Sequence, residues 1–132
     1  NFSYRHSIFQ EKGLIHLSSL FNLQKDKPED IHRRMQDLQQ KRKEKQPMDL
    51  PSAGSVFKRP EGFYTGKLIE ECGLRGFRIG DAAVSEKHCG FIVNLGSATA
   101  KDVYQLIQHI QQVVYKHYNV HLQTEIRILG EI

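Results

Sequence analysis

Two places in the sequence gather side chains able to do chemistry. The first is Ser52-Ala53-Gly54-Ser55-Val56-Phe57-Lys58-Arg59-Pro60. Small residues there let backbone approach a ligand closely, and backbone N–H groups, a hydroxyl and two cations lie together. That set suits a charged, phosphate-bearing ligand, although Ser-Gly loops usually serve only as turns. The second is Glu125, on the polar side of an alternating segment, among His121, Gln123 and Arg127. Such a carboxylate is either a solvated surface charge paired with a neighbour, or a fixed acid or electrostatic partner at the mouth of a site.

Other chemistries find less support. His88 and Cys89 are adjacent and Cys72 is distant, with no C-x-x-C and no H-E-x-x-H, so no metal site is expected. Neither a Walker loop nor G-x-G-x-x-G occurs. Cys72 and Cys89 read as small core or surface residues; they build no disulfide framework, and a reducing, cytoplasmic setting is expected. At 132 residues, with 39% hydrophobic residues, the chain is one domain or one domain plus a piece of another. No apolar run reaches the roughly 18 residues that span a bilayer. The net charge of +4 favours anionic ligands without arguing for nucleic acid by itself.

The elements that must position these residues can be read in order. The chain opens on Asn1-Phe2-Ser3-Tyr4, apolar and aromatic at once, which reads as a fragment of a longer protein; a trimmed or processed terminus is the alternative. Residues 1–24 read as the tail of a structured unit. Leu14, Ile15, Leu17, Leu20, Phe21 and Leu23 form a strand-like stretch that needs a partner sheet. Residues 28–46 predict a helix, with Pro28, Glu29 and Asp30 at its start and a stripe of Ile31, Met35 and Leu38. Lys41, Arg42, Lys43 and Lys45 crowd its end, either compensating the helix dipole or, through Lys45, contacting an anion. Residues 47–65 are loop-rich and mark a boundary.

A short helix is expected over 66–72, stopped by Gly73, and short β runs over 77–94, of which Phe91–Asn94 is the clearest. Residues 99–117 predict an amphipathic helix, with Thr99 as cap, Asp102 in a capping-box position and Asn119 at the exit. The last segment alternates, with Val120, Leu122, Thr124, Ile126 and Ile128 on one side, as a half-buried strand does. Together these predict an α+β domain.

Across this order runs a family resemblance. Tyr4-Arg5-His6-Ser7, Pro51 to Lys58, Gly66-Lys67-Leu68-Ile69-Glu70, Ile79-Gly80, Val84 to His88, Gly90 to Asn94, Ala98 to Val103 and Glu125 to Gly130 come in the order and spacing of the C-terminal half of UDP-N-acetylenolpyruvoylglucosamine reductase, also called UDP-N-acetylmuramate dehydrogenase. The short distance from Ser55 to Gly66 resembles the subgroup without an extra tyrosine-bearing loop. The resemblance implies a small mixed sheet with packed helices, divided into the end of an FAD-binding domain (1–24), a linker helix (25–50) and a substrate-binding domain (51–132). It implies a cytoplasmic flavoenzyme of peptidoglycan precursor synthesis: NADPH reduces FAD, hydride passes to the enolpyruvyl group of UDP-N-acetylglucosamine enolpyruvate, and UDP-N-acetylmuramate forms. The partner it implies is an N-terminal FAD-binding half, with no nucleic acid and no membrane.

The resemblance also implies roles. Ser55 is the proton donor, and Glu125 holds the intermediate together with an arginine of the other half. Tyr4, Lys45, Lys58, Arg59 and His88 contact substrate, with Lys45 at the nucleotide phosphates. Gly54 and Ser55 face the cofactor. An asparagine often stands in the family where this chain has Arg59. The competing reading is a small basic nucleic-acid-binding module using residues 33–45, which lack nearby aromatic residues and any RNP-like pattern.

Overall fold

The structure is a computed structural model that describes residues 2–3, 6–11 and 13–130. The described residues divide into two compact units, 1–33 and 34–132. In the first, β1 (Phe2–Ser3) pairs antiparallel with β2 (His6–Ser7), followed by α1 (Ile8–Glu11). The strand expected over 14–23 does not form. Residues 13–27 carry no regular element, and Leu14, Ile15, Leu17, Leu20, Phe21 and Leu23 are exposed. The physical reason is that a lone strand has no ladder: its N–H and C=O groups gain nothing over water until a neighbouring strand accepts them.

The next helix, α2 (Pro28–Lys45), opens on Pro28, whose missing N–H costs nothing at a first helical position. Glu29 and Asp30 sit at its positive end, and Arg42, Lys43 and Lys45 at its negative end. It buries no residue; Ile31, Met35 and Leu38 stay exposed. Surface pairs support it instead, with Arg33 on Asp30 at 2.8 Å, Gln40 on Glu44 at 2.9 Å and Arg42 on Gln46 at 3.1 Å.

The core of the second unit forms around a four-stranded sheet, β3 (Ser52–Ser55), β4 (Arg78–Ile79), β5 (Ala82–Val84) and β6 (Phe91–Asn94), in the order β3-β6-β5-β4. Every pairing is antiparallel, so the sheet is not mixed as expected; neighbouring strands here need no crossover helix. β3 itself corrects the reading of 47–65 as loop. Ser52 pairs with Val93 and Ser55 with Phe91, so β3 carries one more residue than β6 over the same span. Gly54, at φ +88°, takes up the bulge.

Two helices complete this core. α3 (Thr65–Glu71) ends at Cys72, and Gly73 at φ +72° turns the chain out. α4 (Ala100–Tyr118) starts on a complete capping box: Asp102 N–H donates to Thr99 Oγ1 at 3.1 Å and Thr99 N–H donates to Asp102 Oδ2 at 2.8 Å. It stops at Asn119, left-handed at φ 55°. Leu106, Ile107, Ile110 and Val114 make its buried face and join Val56, Phe57, Leu68, Ile69, Val84, Ile92 and Leu122 in one cluster. The final segment keeps its alternation of burial, with Leu122 buried between exposed His121 and Gln123. As a strand it is reduced to one bridge, Phe57 with Thr124. Among the described residues no helix is long and apolar enough to cross a membrane.

Leu106 is fully buried. Leu106→Ala should therefore lower unfolding free energy by about 2–5 kcal/mol in denaturant titration, through lost transfer energy and an unfilled cavity. The Asp102 carboxyl is held below its ordinary range, first by the Thr99 backbone N–H and then by the Thr99 hydroxyl. Its stabilisation is full above the unfolded carboxyl's pKa of about 4 and is lost as pH falls through the lowered folded value. Stability should decline on acidification below about pH 4, and Asp102→Asn should flatten part of that decline.

Candidate functional site

Ser55 to Lys58 is held from both sides. Val56 N–H donates to Gly90 O at 2.9 Å, and Val56 O accepts from Glu125 N–H at 2.8 Å. One residue on, Lys58 N–H donates to Gln123 O at 2.8 Å. Val56 and Phe57 are buried in the core, while Ser55 and Lys58 on either side are exposed. Burial of the apolar pair thus anchors the segment and leaves its polar neighbours at the surface. The fold brings Ser55 and Glu125, 70 positions apart in number, onto adjacent stretches of backbone.

Around Ser55 the packing is close. Its Oγ donates to Phe57 O at a long 3.4 Å. A Cβ at Gly90 would lie 3.8 Å from Ser55 Oγ and only 2.9 Å from His88 Cε1. Gly66, in the first turn of α3, is similarly tight, its Cβ position 3.3 Å from His88 Cε1. The half-buried His88 ring therefore rests on two glycines, edge-on to Phe91 at 5.0 Å. Its Nδ1 accepts from Gly90 N–H at 3.0 Å, which leaves Nε2 as the protonated nitrogen of the neutral ring. At Gly54 the situation is opposite: a Cβ would meet nothing within 4 Å. Backbone there is open to a ligand beside the Ser55 hydroxyl.

The two loop cations differ. Arg59 is committed, its Nε donating to Phe63 O at 3.1 Å and its guanidinium lying 3.9 Å over the Tyr64 ring. Lys58 is exposed, and its carbonyl accepts from Thr65 Oγ1 at 3.2 Å, fastening the loop to the start of α3. Lys45 is the last residue of α2 and is exposed. Tyr4 lies outside the described residues. A depression of about 340 Å³ lined by Ser52, Ala53, Val56, Asn94 and Ile126, among others, adjoins the segment; neither Ser55 nor Glu125 is among its lining residues. Gly66, Gly90 and Ser85 stand in the family motifs, yet the sequence assigns no site role to them or to Tyr64. Only the Ser85-to-His88 spacing, typical of a serine-closed turn, could have signalled one of them.

Burial pushes both thiols up, and neither cysteine is bonded. Among the described residues no group of three or more His, Cys, Asp or Glu side chains is set to hold a metal.

These features define an α+β domain that presents a hydroxyl, open backbone and a cation beside a carboxylate-bearing segment. Residues 46–129 match the family described as UDP-N-acetylenolpyruvoylglucosamine reductase, C-terminal domain, and the chain belongs to that family. The UDP-N-acetylenolpyruvoylglucosamine reductase of Lachnoclostridium phytofermentans is 55% identical over 129 residues, covering 98% of this chain and 42% of its own length. That of Caldanaerobacter subterraneus is 56% identical over 130 residues, with 98% and 43% covered. The crystal structure of UDP-N-acetylenolpyruvylglucosamine reductase from Thermus caldophilus superposes with a TM-score of 0.66 at 41% identity, covering 80% of this chain and 37% of that one. The chain thus spans less than half the length of these relatives.

A methyl group at Gly90 would displace the His88 ring, the far end of a side chain, rather than backbone. Gly90→Ala should keep the fold, with a melting midpoint within about 4 °C of the original. The His88 ring resonances should shift as its bond to the Gly90 N–H is lost.

Proposed function

We propose that this chain is the substrate-binding C-terminal portion of a reductase that converts UDP-N-acetylglucosamine enolpyruvate to UDP-N-acetylmuramate, in cytoplasmic peptidoglycan precursor synthesis. In this reading residues 1–24 end the FAD-binding domain, 25–50 form the linker and 51–132 bind substrate. The observation that carries the reading is the adjacency of Ser55 and Glu125 through the Val56–Glu125 backbone bond. Family membership and the open backbone at Gly54 add to it.

FAD, reduced by NADPH, supplies the hydride when bound. Gly54 and Ser55 fit one side of such a site, because small side chains and open backbone admit a planar ring close to the hydroxyl. Ser55 Oγ–H gives its proton to the carbon beside the one that accepts hydride. A hydroxyl is a weak acid, but the carbanionic centre is strongly basic, so position matters more than intrinsic acidity. Glu125 holds the geometry and protonation of the intermediate together with an arginine from outside these residues, whose cation faces the developing negative charge. Lys58 and Lys45 meet the diphosphate, and His88 offers its Nε2–H to a ligand oxygen. Arg59 reaches the same region with the N–H groups that Phe63 O leaves over. Tyr4 contacts substrate.

The basic-module alternative loses force on α2, where Arg33 is engaged by Asp30 and Arg42 by Gln46. In the full-length protein carrying this chain, Ser55→Ala should leave NADPH-dependent flavin reduction intact. It should slow UDP-N-acetylmuramate formation by at least about a hundredfold. Product formation at the original rate would refute the assignment of the proton donor.

A further inference from the structure

The end of α2 and the Ser55 loop are joined by a turn to which the reading above assigns only His88. Ser85 is 3% exposed, and its Oγ accepts from Lys87 N–H at 3.2 Å and from His88 N–H at 3.3 Å. A side chain that closes on its own backbone in this way sets the turn locally. The Arg75 guanidinium donates to Glu86 O and pairs with Glu70 at 2.6 Å, fastening the turn to the end of α3. On the Ser55 side, His88 Nδ1 accepts from Gly90 N–H, and Gly90 O accepts from Val56 N–H. Toward α2, Lys87 Nζ donates to Lys43 O at 2.9 Å.

Lys43 O is a carbonyl that the sequence itself orphans. Its helical partner would be the N–H four residues on, and that residue is Pro47, which has none. Lys87 supplies the missing donor and places a cation at the negative end of the helix dipole. Just beyond, Pro47 is buried and Pro51 O accepts from Asn94 N–H at 2.9 Å. The last turn of α2 is therefore pinned by Lys87 from one element and by the sheet through the following residues.

We propose that Lys87 is a positioning residue that holds the cationic end of α2 in register with the Ser55 loop. Through that register it sets where Lys45 meets the phosphates of the substrate. The inference rests on the function proposed above. It differs from a packing role in one respect: the effect of Lys87 on substrate passes through Lys45.

The test uses the full-length enzyme with Lys87→Met, Lys87→Arg, Lys45→Met and the double variant Lys45→Met/Lys87→Met. Lys87→Met should raise KM for the UDP-sugar about fivefold, the scale of one lost charge-assisted hydrogen bond at an exposed position. Its kcat should stay within about twofold, and amide exchange at Gln46 and Met48 should accelerate. Lys87→Arg should restore most of the KM. Adding Lys87→Met to Lys45→Met should change KM no further, because residues acting as one unit are not additive. An unchanged KM in Lys87→Met, or the same fold-change in the presence and absence of Lys45, would overturn the positioning role. Unchanged exchange in an active Lys87→Met enzyme would overturn the tether while leaving the function reading intact. No UDP-sugar-dependent NADPH oxidation by the unsubstituted enzyme would overturn that reading, and with it the role given to Lys87.

Discussion

Val56 is the point on which the site depends. Its N–H is taken by Gly90, its C=O by Glu125, and its side chain by the core. A residue held in all three ways leaves its neighbours little freedom, since moving Ser55 would break a buried pairing or expose apolar surface. Each buried backbone group left unpaired would cost about 1–3 kcal/mol. The Ser55 hydroxyl is thus exposed without being loose. The bulge at Gly54 completes the arrangement by shifting register just before Ser55, in a conformation that a residue with a Cβ rarely adopts.

Around this point the molecule divides into parts that are stabilised by different means. The second unit has a true core, with α4 packed on β4 and β5 of an antiparallel sheet and α3 packed on α4. Its polar chemistry sits on backbone that this core fixes. α2 has no such support from its apolar stripe, and its side-chain pairs are worth only a few tenths of a kcal/mol each. Contacts at its two ends therefore matter more than its interior. Residues 13–27 bury none of their side chains, and Leu14, Ile15, Leu17, Leu20, Phe21 and Leu23 leave apolar surface exposed there.

Much of this was legible in the residues. α4 announced both ends, through Thr99 with Asp102 and through Asn119, because capping is local chemistry. Phe91–Asn94 read as a strand for the same reason, its β-branched and aromatic residues favouring the pleated state. β3 was not legible, since Ser52-Ala53-Gly54-Ser55 has no alternation and owes its state to β6. The alternation of 120–128 foretold burial but not how little backbone would pair, because pairing depends on the length of the facing segment. Ser55 and Glu125 could be named from the family resemblance, yet their adjacency is a non-local fact of the fold. The support of His88 by Gly66 and Gly90 was hidden too, because a glycine in sequence does not say which ring will lie on it.

The central claim is that the segment bearing Glu125 lies along the segment bearing Ser55. It is tested most directly by nuclear Overhauser contacts and amide exchange in the isotopically labelled protein. Cross-peaks between backbone protons of residues 55–58 and 123–126, with slow exchange of the Glu125 and Lys58 amides, are the predicted result. Their absence, with the Glu125 amide exchanging at the rate of an unstructured chain, would contradict it.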